Sequence, residues 1–194
     1  MISSEDNTVK IFAEKVLFAK RFDDNSSNYK DSEIREWLNG EFLNTAFTES
    51  LRNCITDRWL VLNSASTTYP ADLTNEQKES QFNNGTNPYA CADTKDFVWL
   101  ASEWDVTKDT YGFPAFEEYG LGNARIRKAT DYAKANGVKC SKNDDYGSLW
   151  LLRSPSHSAS VRVVNETGNP LVTCLVDKAF CGIVPGLSVD YSKL

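Results

Sequence analysis

Histidine is almost absent from this chain: His157 stands alone among 194 residues. A metal centre built from several imidazoles is therefore excluded, and a Ser-His-acid triad would have to use this one residue. It lies in Ser156-His157-Ser158-Ala159, a polar turn after a strand, with neither a Gly-x-Ser-x-Gly elbow nor a placed acid. His157 thus reads as an exposed or ligand-contacting side chain, not a general base. The five cysteines, Cys54, Cys91, Cys140, Cys174 and Cys181, form an odd set without a Cys-x-x-Cys pair. That argues against a zinc ribbon or a thioredoxin-type site, leaves at least one thiol unpaired within the chain, and favours cysteines acting as small buried hydrophobes. No Gly-x-x-x-x-Gly-Lys or Gly-x-Gly-x-x-Gly string precedes a helix, so a phosphate-cradling loop is missing. Neither a metal nor another cofactor is expected.

Basic charge is also scarce. Lys and Arg number 21 against 27 acids, for a formal net charge of -6, and they form no stripe, which leaves a nucleic acid partner without electrostatic support. No apolar run approaches the roughly 18 residues that span a bilayer, and no signal-peptide core opens the chain, so direct membrane insertion is not expected. Met1 is the sole methionine, and Ile2-Ser3-Ser4-Glu5-Asp6 reads as the middle of a longer protein. Adjacent acids at Glu117-Glu118, Asp144-Asp145, and Glu103 with Asp105 could in principle cleave a glycoside, but sequence supplies no separation between them and the ordinary reading is solvated charge.

What is present suits one domain spanning residues 1–194: 41% hydrophobic content is enough for a full core at this length. Val9 to Leu17 reads as a first strand bending toward Phe22. Ser32 sits as an N-cap ahead of Ile34, Trp37 and Leu38 at helical spacing, with a stop at Gly40. A second helix from Phe42 to Arg52 carries Phe42, Leu43, Ala46 and Phe47 on one side, so Trp37 and Phe47 look structural. Leu60-Val61-Leu62 and Phe97 to Ala101 read as strands around a long polar excursion from Asn63 to Asp96. Ser102 can cap a turn into Trp104-Asp105, and Asn123 can cap a helix through Ala124, Arg127, Ala129, Tyr132 and Ala133 that ends at Gly137.

The last quarter carries four short strands. Trp150-Leu151-Leu152-Arg153-Ser154-Pro155 and Gly182-Ile183-Val184-Pro185-Gly186-Leu187 enclose Ser160 to Val164 and Leu171 to Val176, which are joined by the turn Asn165 to Pro170. Period-two alternation sends Val161, Val163 and Leu175 to the core and Ser160, Arg162 and Val164 to the other face. Two apolar strands around a polar, variable-looking segment suggest a display scaffold.

The order of blocks, Ser-x-Ile-Arg-x-Trp-Leu-Asn at Ser32–Asn39, Ala46-Phe47, Trp150–Pro155 and the Gly-led close at Gly182, resembles a family of bacterial surface-protein domains of unknown function from about Val9 to Val189. That family is similar to the C-type-lectin-like fold shared by formylglycine-generating enzymes and by the variable proteins of diversity-generating retroelements. The resemblance implies an α+β fold: a short twisted antiparallel sheet with two or three packed helices. Two departures are the Val184 that stands where the close usually has Arg, and the missing opening hairpin before Ile2, which suggests a domain excised from a longer surface protein. The calcium-sugar loops of such lectins, Glu-Pro-Asn or Gln-Pro-Asp, do not occur.

In the retroelement-diversified relatives the varied positions lie between the Trp-Leu-x-Arg-Ser strand and the close. The resemblance thus implies a ligand-binding face of Ser156, His157, Ser158, Ser160, Arg162, Asn165, Glu166, Asn169, Asp177, Lys178 and Phe180. The expected function is a receptor or adhesion module of a secreted or surface-displayed bacterial or phage protein, not an enzyme, meeting a protein or glycan on another cell or phage. One alternative is a relative of the formylglycine-generating oxidases, which use two nearby cysteines with copper; Cys174 and Cys181 invite that comparison, although their spacing differs and Cys181 abuts Gly182. The other is a structural module whose polar sheet face is merely solvated.

Overall fold

The computed structural model describes residues 2–3, 7–60, 89, 92–107, 113 and 123–194. Expectations for Val61 and Leu62, for most of Asn63 to Asp96 including Cys91, and for Glu117 and Glu118 lie outside the described residues. The fold is α+β.

Its centre is set by Leu149-Trp150-Leu151-Leu152, a run with no polar member. In a strand such a run must bury both faces. It does so in β8 (Trp150–His157): Leu149 and Leu151 point into one core with Phe22, Tyr29, Ile34 and Leu38, while Trp150 and Leu152 point into a second with Val16, Val106, Ala133 and Val184. Each fully buried side chain of this size contributes about 1.5–3 kcal/mol. Antiparallel β9 (Ser160–Val164) lies beside β8, and β10 (Val172–Leu175) forms the edge beyond it. On the other side of β8, β11 (Gly182–Ile183) pairs in parallel and then meets β3 (Phe18–Ala19).

The second sheet is organised by β12 (Pro185–Asp190). It pairs with β2 (Thr8–Phe12) along one edge and with both β4 (Ile55–Thr56) and β7 (Val98–Leu100) along the other, and β1 (Ile2–Ser3) lies beyond β2. A separate pair joins β5 (Arg58–Leu60) to β6 (Thr94–Asp96). The closing block, expected as one strand, is therefore two: Gly182–Ile183 belongs to one sheet and Pro185–Asp190 to the other, with buried Val184 between them.

Helices cover the first core from one side. Ser32 caps α1 (Glu33–Trp37), its hydroxyl accepting from the Arg35 amide, as its position predicts. Gly40 does not end the helix. A π-helical turn from Leu38 to Phe42 carries it into α2 (Leu43–Ala46). The cause is tertiary: the Asn39 amide donates to the Arg35 and Val98 carbonyls and accepts from the Phe97 amide, fastening the turn to β7. Gly40 is not among the positive-φ glycines, so nothing there breaks the chain. After α3 (Glu49–Cys54) and α4 (Glu103–Thr107), the predicted cap at Asn123 yields only a 3-10 turn. Residues 126–130 stay out of helix because Val16 bridges Ala129, its amide donating to the Lys128 carbonyl and its carbonyl accepting from the Thr130 amide, and Thr130 caps α5 (Asp131–Ala135) instead. Gly137, at φ 85°, ends that helix as expected.

Alternation in the last strands also departs from expectation. Val161 and Val163 enter the first core, but Val164 is equally buried in the second, so both faces of β9 are covered. Leu175 is half exposed on edge strand β10, and it is Val172 and Cys174 that turn inward. A register in which Leu175 opposes Ser160 decides this, since alternate residues must then leave the core.

Candidate functional site

The residues expected to bind ligand do not share one face. Ser156 is only 5% exposed, its hydroxyl 3.0 Å from the His157 Nδ1. His157 and Ser158 are exposed at the β8–β9 turn, where the Ser158 carbonyl accepts from the Ser27 amide and the Tyr89 ring lies 5.9 Å from the imidazole. Ser160 is half-buried opposite Leu175. Val176 binds the Ala159 carbonyl, which brings exposed Asp177 and half-buried Lys178 to the same end of β9; these two form a 3.1 Å ion pair. At the other end, about 16 Å away along the strand, the turn residues are occupied with their own geometry. Asn165 Oδ1 accepts from Thr167 and Asn169, Asn169 Oδ1 accepts from Leu171, and Glu166 pairs with Lys139 at 3.2 Å. Phe180 is 38% exposed.

Arg162 and the suspected acid pair are absorbed by the frame. Arg162 donates to the Leu171 carbonyl at 2.7 Å, and its Nε lies 3.0 Å from buried Glu103. Asp105 receives Arg153 at 2.6 Å and the Ser102 amide at 2.8 Å, while the Ser102 hydroxyl accepts from the Asp105 amide, the capping arrangement that Ser102 predicts. Both members of the Glu103–Asp105 pair thus face arginines, as does Asp96, 2.7 Å from Arg35 and bonded by the Thr94 hydroxyl.

Burial holds the Asp96 carboxyl above its ordinary value of 3.8, with Thr94 and Arg35 offsetting part of that rise. As pH climbs past 3.8 the unfolded chain releases this proton first, so stability falls until the folded group also ionises. Asp96→Asn removes that fall: urea unfolding at a series of acid pH values should show wild type losing stability relative to the variant as pH rises through this window. A difference between the two proteins that does not change with pH would refute the assignment.

A cleft of about 270 Å³ opens where the segment after β3 passes α1, walled by Ala19, Lys20 and Arg21, by Glu33, Ile34 and Trp37, and by Ala179. Arg21 grips Glu33 through two 2.6 Å bonds, and Lys20 Nζ lies 4.5 Å from the Trp37 ring centre. Sequence reasoning treated Trp37 as purely structural; half-buried, it packs on Phe18 and Phe42 and walls the cleft as well. A signal was available in the spacing of Glu33 and Trp37, which places them on one helix face once Ser32 is the cap. Ala179 comes from the exposed segment between β10 and β11, whose neighbours Lys178 and Phe180 were among the predicted residues.

That segment is bounded by two thiols. Cys174 Sγ lies 3.1 Å from Cys181 Sγ, with Cys174 half-buried and Cys181 fully buried. A hydrogen bond from Cys181 holds the Cys174 thiol below its ordinary value, and Lys139 and Lys178 act in the same direction. Cys181 moves the opposite way, because it keeps the shared proton and is buried. Cys54 and Cys140 bond instead to the Lys193 carbonyl and to the Ser148 hydroxyl.

Among the described residues no three His, Cys, Asp or Glu side chains gather as metal ligands, and no helix is long and apolar enough to cross a membrane. The family described as a domain of unknown function, DUF6273, matches residues 6–191. The chain belongs to this family. Comparison of this DUF6273 chain with curated proteins gave no match, and comparison with solved structures gave none.

Proposed function

We propose that this DUF6273 domain is a ligand-binding receptor or adhesion module with a C-type-lectin-like fold, carried on a secreted or surface-displayed bacterial or phage protein. One form of it is a retroelement-diversified variable protein that meets a protein or glycan on another cell or phage. The observation that carries the reading is the cleft: an aromatic wall, Trp37, with Lys20, Arg21 and Glu33 around it, beside the exposed segment of Asp177, Lys178, Ala179 and Phe180. An apolar surface ringed by a few placed polar groups is the usual composition of a small-ligand or side-chain pocket. The buried carboxylates Asp96, Glu103 and Asp105 are engaged with arginines in the frame.

Ala179→Arg fills the cleft from an exposed position without entering either core. The purified domain, screened on glycan and bacterial-surface protein arrays, should lose its hits in Ala179→Arg and weaken in Lys20→Glu, while Asn169→Ala, at the far turn, keeps them. Hits that survive Ala179→Arg in a folded protein would sink the cleft as the binding site.

The pairing of Cys174 with Cys181 favours a second reading, a relative of the formylglycine-generating oxidases. It predicts oxygen consumption with a cysteine-containing peptide, which the binding-module reading does not.

A further inference from the structure

We infer that Cys174 and Cys181 form a thiol–disulfide pair that reversibly fastens the two ends of segment 175–180 to each other. The sulfurs are already 3.1 Å apart, so about 1 Å of approach reaches the roughly 2.05 Å bond length. The two residues meet at one core: Cys181 is a member of it and Cys174 packs against it from β10. Their roles differ by access. Half-buried Cys174 can meet a solvent-borne disulfide, whereas Cys181 is fully buried and can reach only Cys174. The cations facing the pair, Lys139 and Lys178, favour thiolate at Cys174, and Asp177 opposes them. The other described cysteines are held apart by their own partners, Cys54 at the Lys193 carbonyl and Cys140 at the Ser148 hydroxyl.

The chemistry is exchange with a small-molecule disulfide. The Cys174 thiolate attacks one sulfur of the oxidant, a mixed disulfide forms, and one thiolate leaves with the bonding pair. Cys181 then attacks the Cys174 sulfur, its proton passing to the second departing thiolate. Two protein thiols are oxidised and one external disulfide is reduced to two thiols. The consequence is local. The backbone of residues 176–181 is bonded to segment 20–23 through the Val176 and Cys181 carbonyls, so the closed ring stiffens the wall from which Ala179 enters the cleft. The pairing itself does not depend on what the cleft binds.

The test is to expose the reduced, folded domain to oxidised glutathione, alkylate the remaining thiols and map the peptides by mass spectrometry. A Cys174–Cys181 crosslink with Cys54 and Cys140 still alkylated is expected. Cys181→Ser should stop at a glutathione adduct on Cys174, and Cys174→Ser should slow modification of the pair by at least about tenfold. If Cys181→Ser proves unfolded by near-ultraviolet circular dichroism, Cys181→Ala takes its place. Wild type that stops at a mixed disulfide, that links either thiol to Cys91, or that leaves both alkylated as readily as Cys54 overturns the inference.

Discussion

Asp105→Ala should lower unfolding free energy by about 3–5 kcal/mol, because it strands a buried arginine without its counter-charge. Arg153 is 2% exposed, and its Nη1 bonds both the Asp105 carboxylate and the Leu100 carbonyl at 2.6 Å. The Arg153 amide also donates to the Ala101 carbonyl. This one side chain therefore ties β8 of the first sheet to β7 of the second and to the first turn of α4. Replacing both charges, as in Asp105→Leu with Arg153→Met, should cost much less than the sum of the single changes, since neither group is then left unpaired. Urea unfolding followed by tryptophan fluorescence measures all three. A loss below about 1 kcal/mol for Asp105→Ala would mean that Arg153 finds another partner or water, and would contradict its role as the tie between the sheets.

The second large effect is steric. A Cβ at Gly182 would lie 2.5 Å from Val16 Cγ1 and 2.6 Å from the Leu149 carbonyl oxygen. Neither can yield cheaply: Val16 is fully buried, and the Leu149 carbonyl accepts the Gly182 amide itself. Gly182→Ala should cost about 3 kcal/mol, at the upper end of ordinary overpacking. Gly40 is the internal contrast. A methyl group added there would meet no atom within 4 Å, and the residue sits inside a helical run, so Gly40→Ala should gain about 0.5–1 kcal/mol. Thermal and urea unfolding of the two variants should move in opposite directions, and a neutral Gly182→Ala would show that β11 packs loosely against Val16.

Features governed by neighbours in sequence were legible. Ser32 and Ser102 cap helices because their hydroxyls reach amides three residues on, and Gly137 and the Asn165 turn follow from the conformations those residues favour. Features governed by distant partners were not. Asn39 carries the helix through Gly40 by binding β7, residues 126–130 are drawn out of helix by Val16, and Val164 is buried because α5 and Val184 cover a face that alternation alone would leave to solvent. The candidate site divides the same way. Exposed Asp177 and Phe180 and half-buried Lys178 lie together in the segment after β10, whereas Asn165, Glu166 and Asn169 are separated from them by the length of β9. The cleft itself could not be read, since it needs Ala19 to Arg21, Glu33, Trp37 and Ala179 from three separate segments.

The division of the closing block between two sheets also governs the order in which the molecule can be assembled. β12 lies between β2 on one side and β4 with β7 on the other, yet it is translated after all of them, and its register sets Ile11 opposite Leu187. The β12-facing sides of β2, β4 and β7 therefore have no ladder partner until residues 185–190 are in place, and the β2–β12 contact closes a loop of about 180 residues. The second sheet is thus joined only by the last strand of the fold: a chain ending at Val184 keeps every strand of the first sheet but lacks the one that links β2 to β4 and β7.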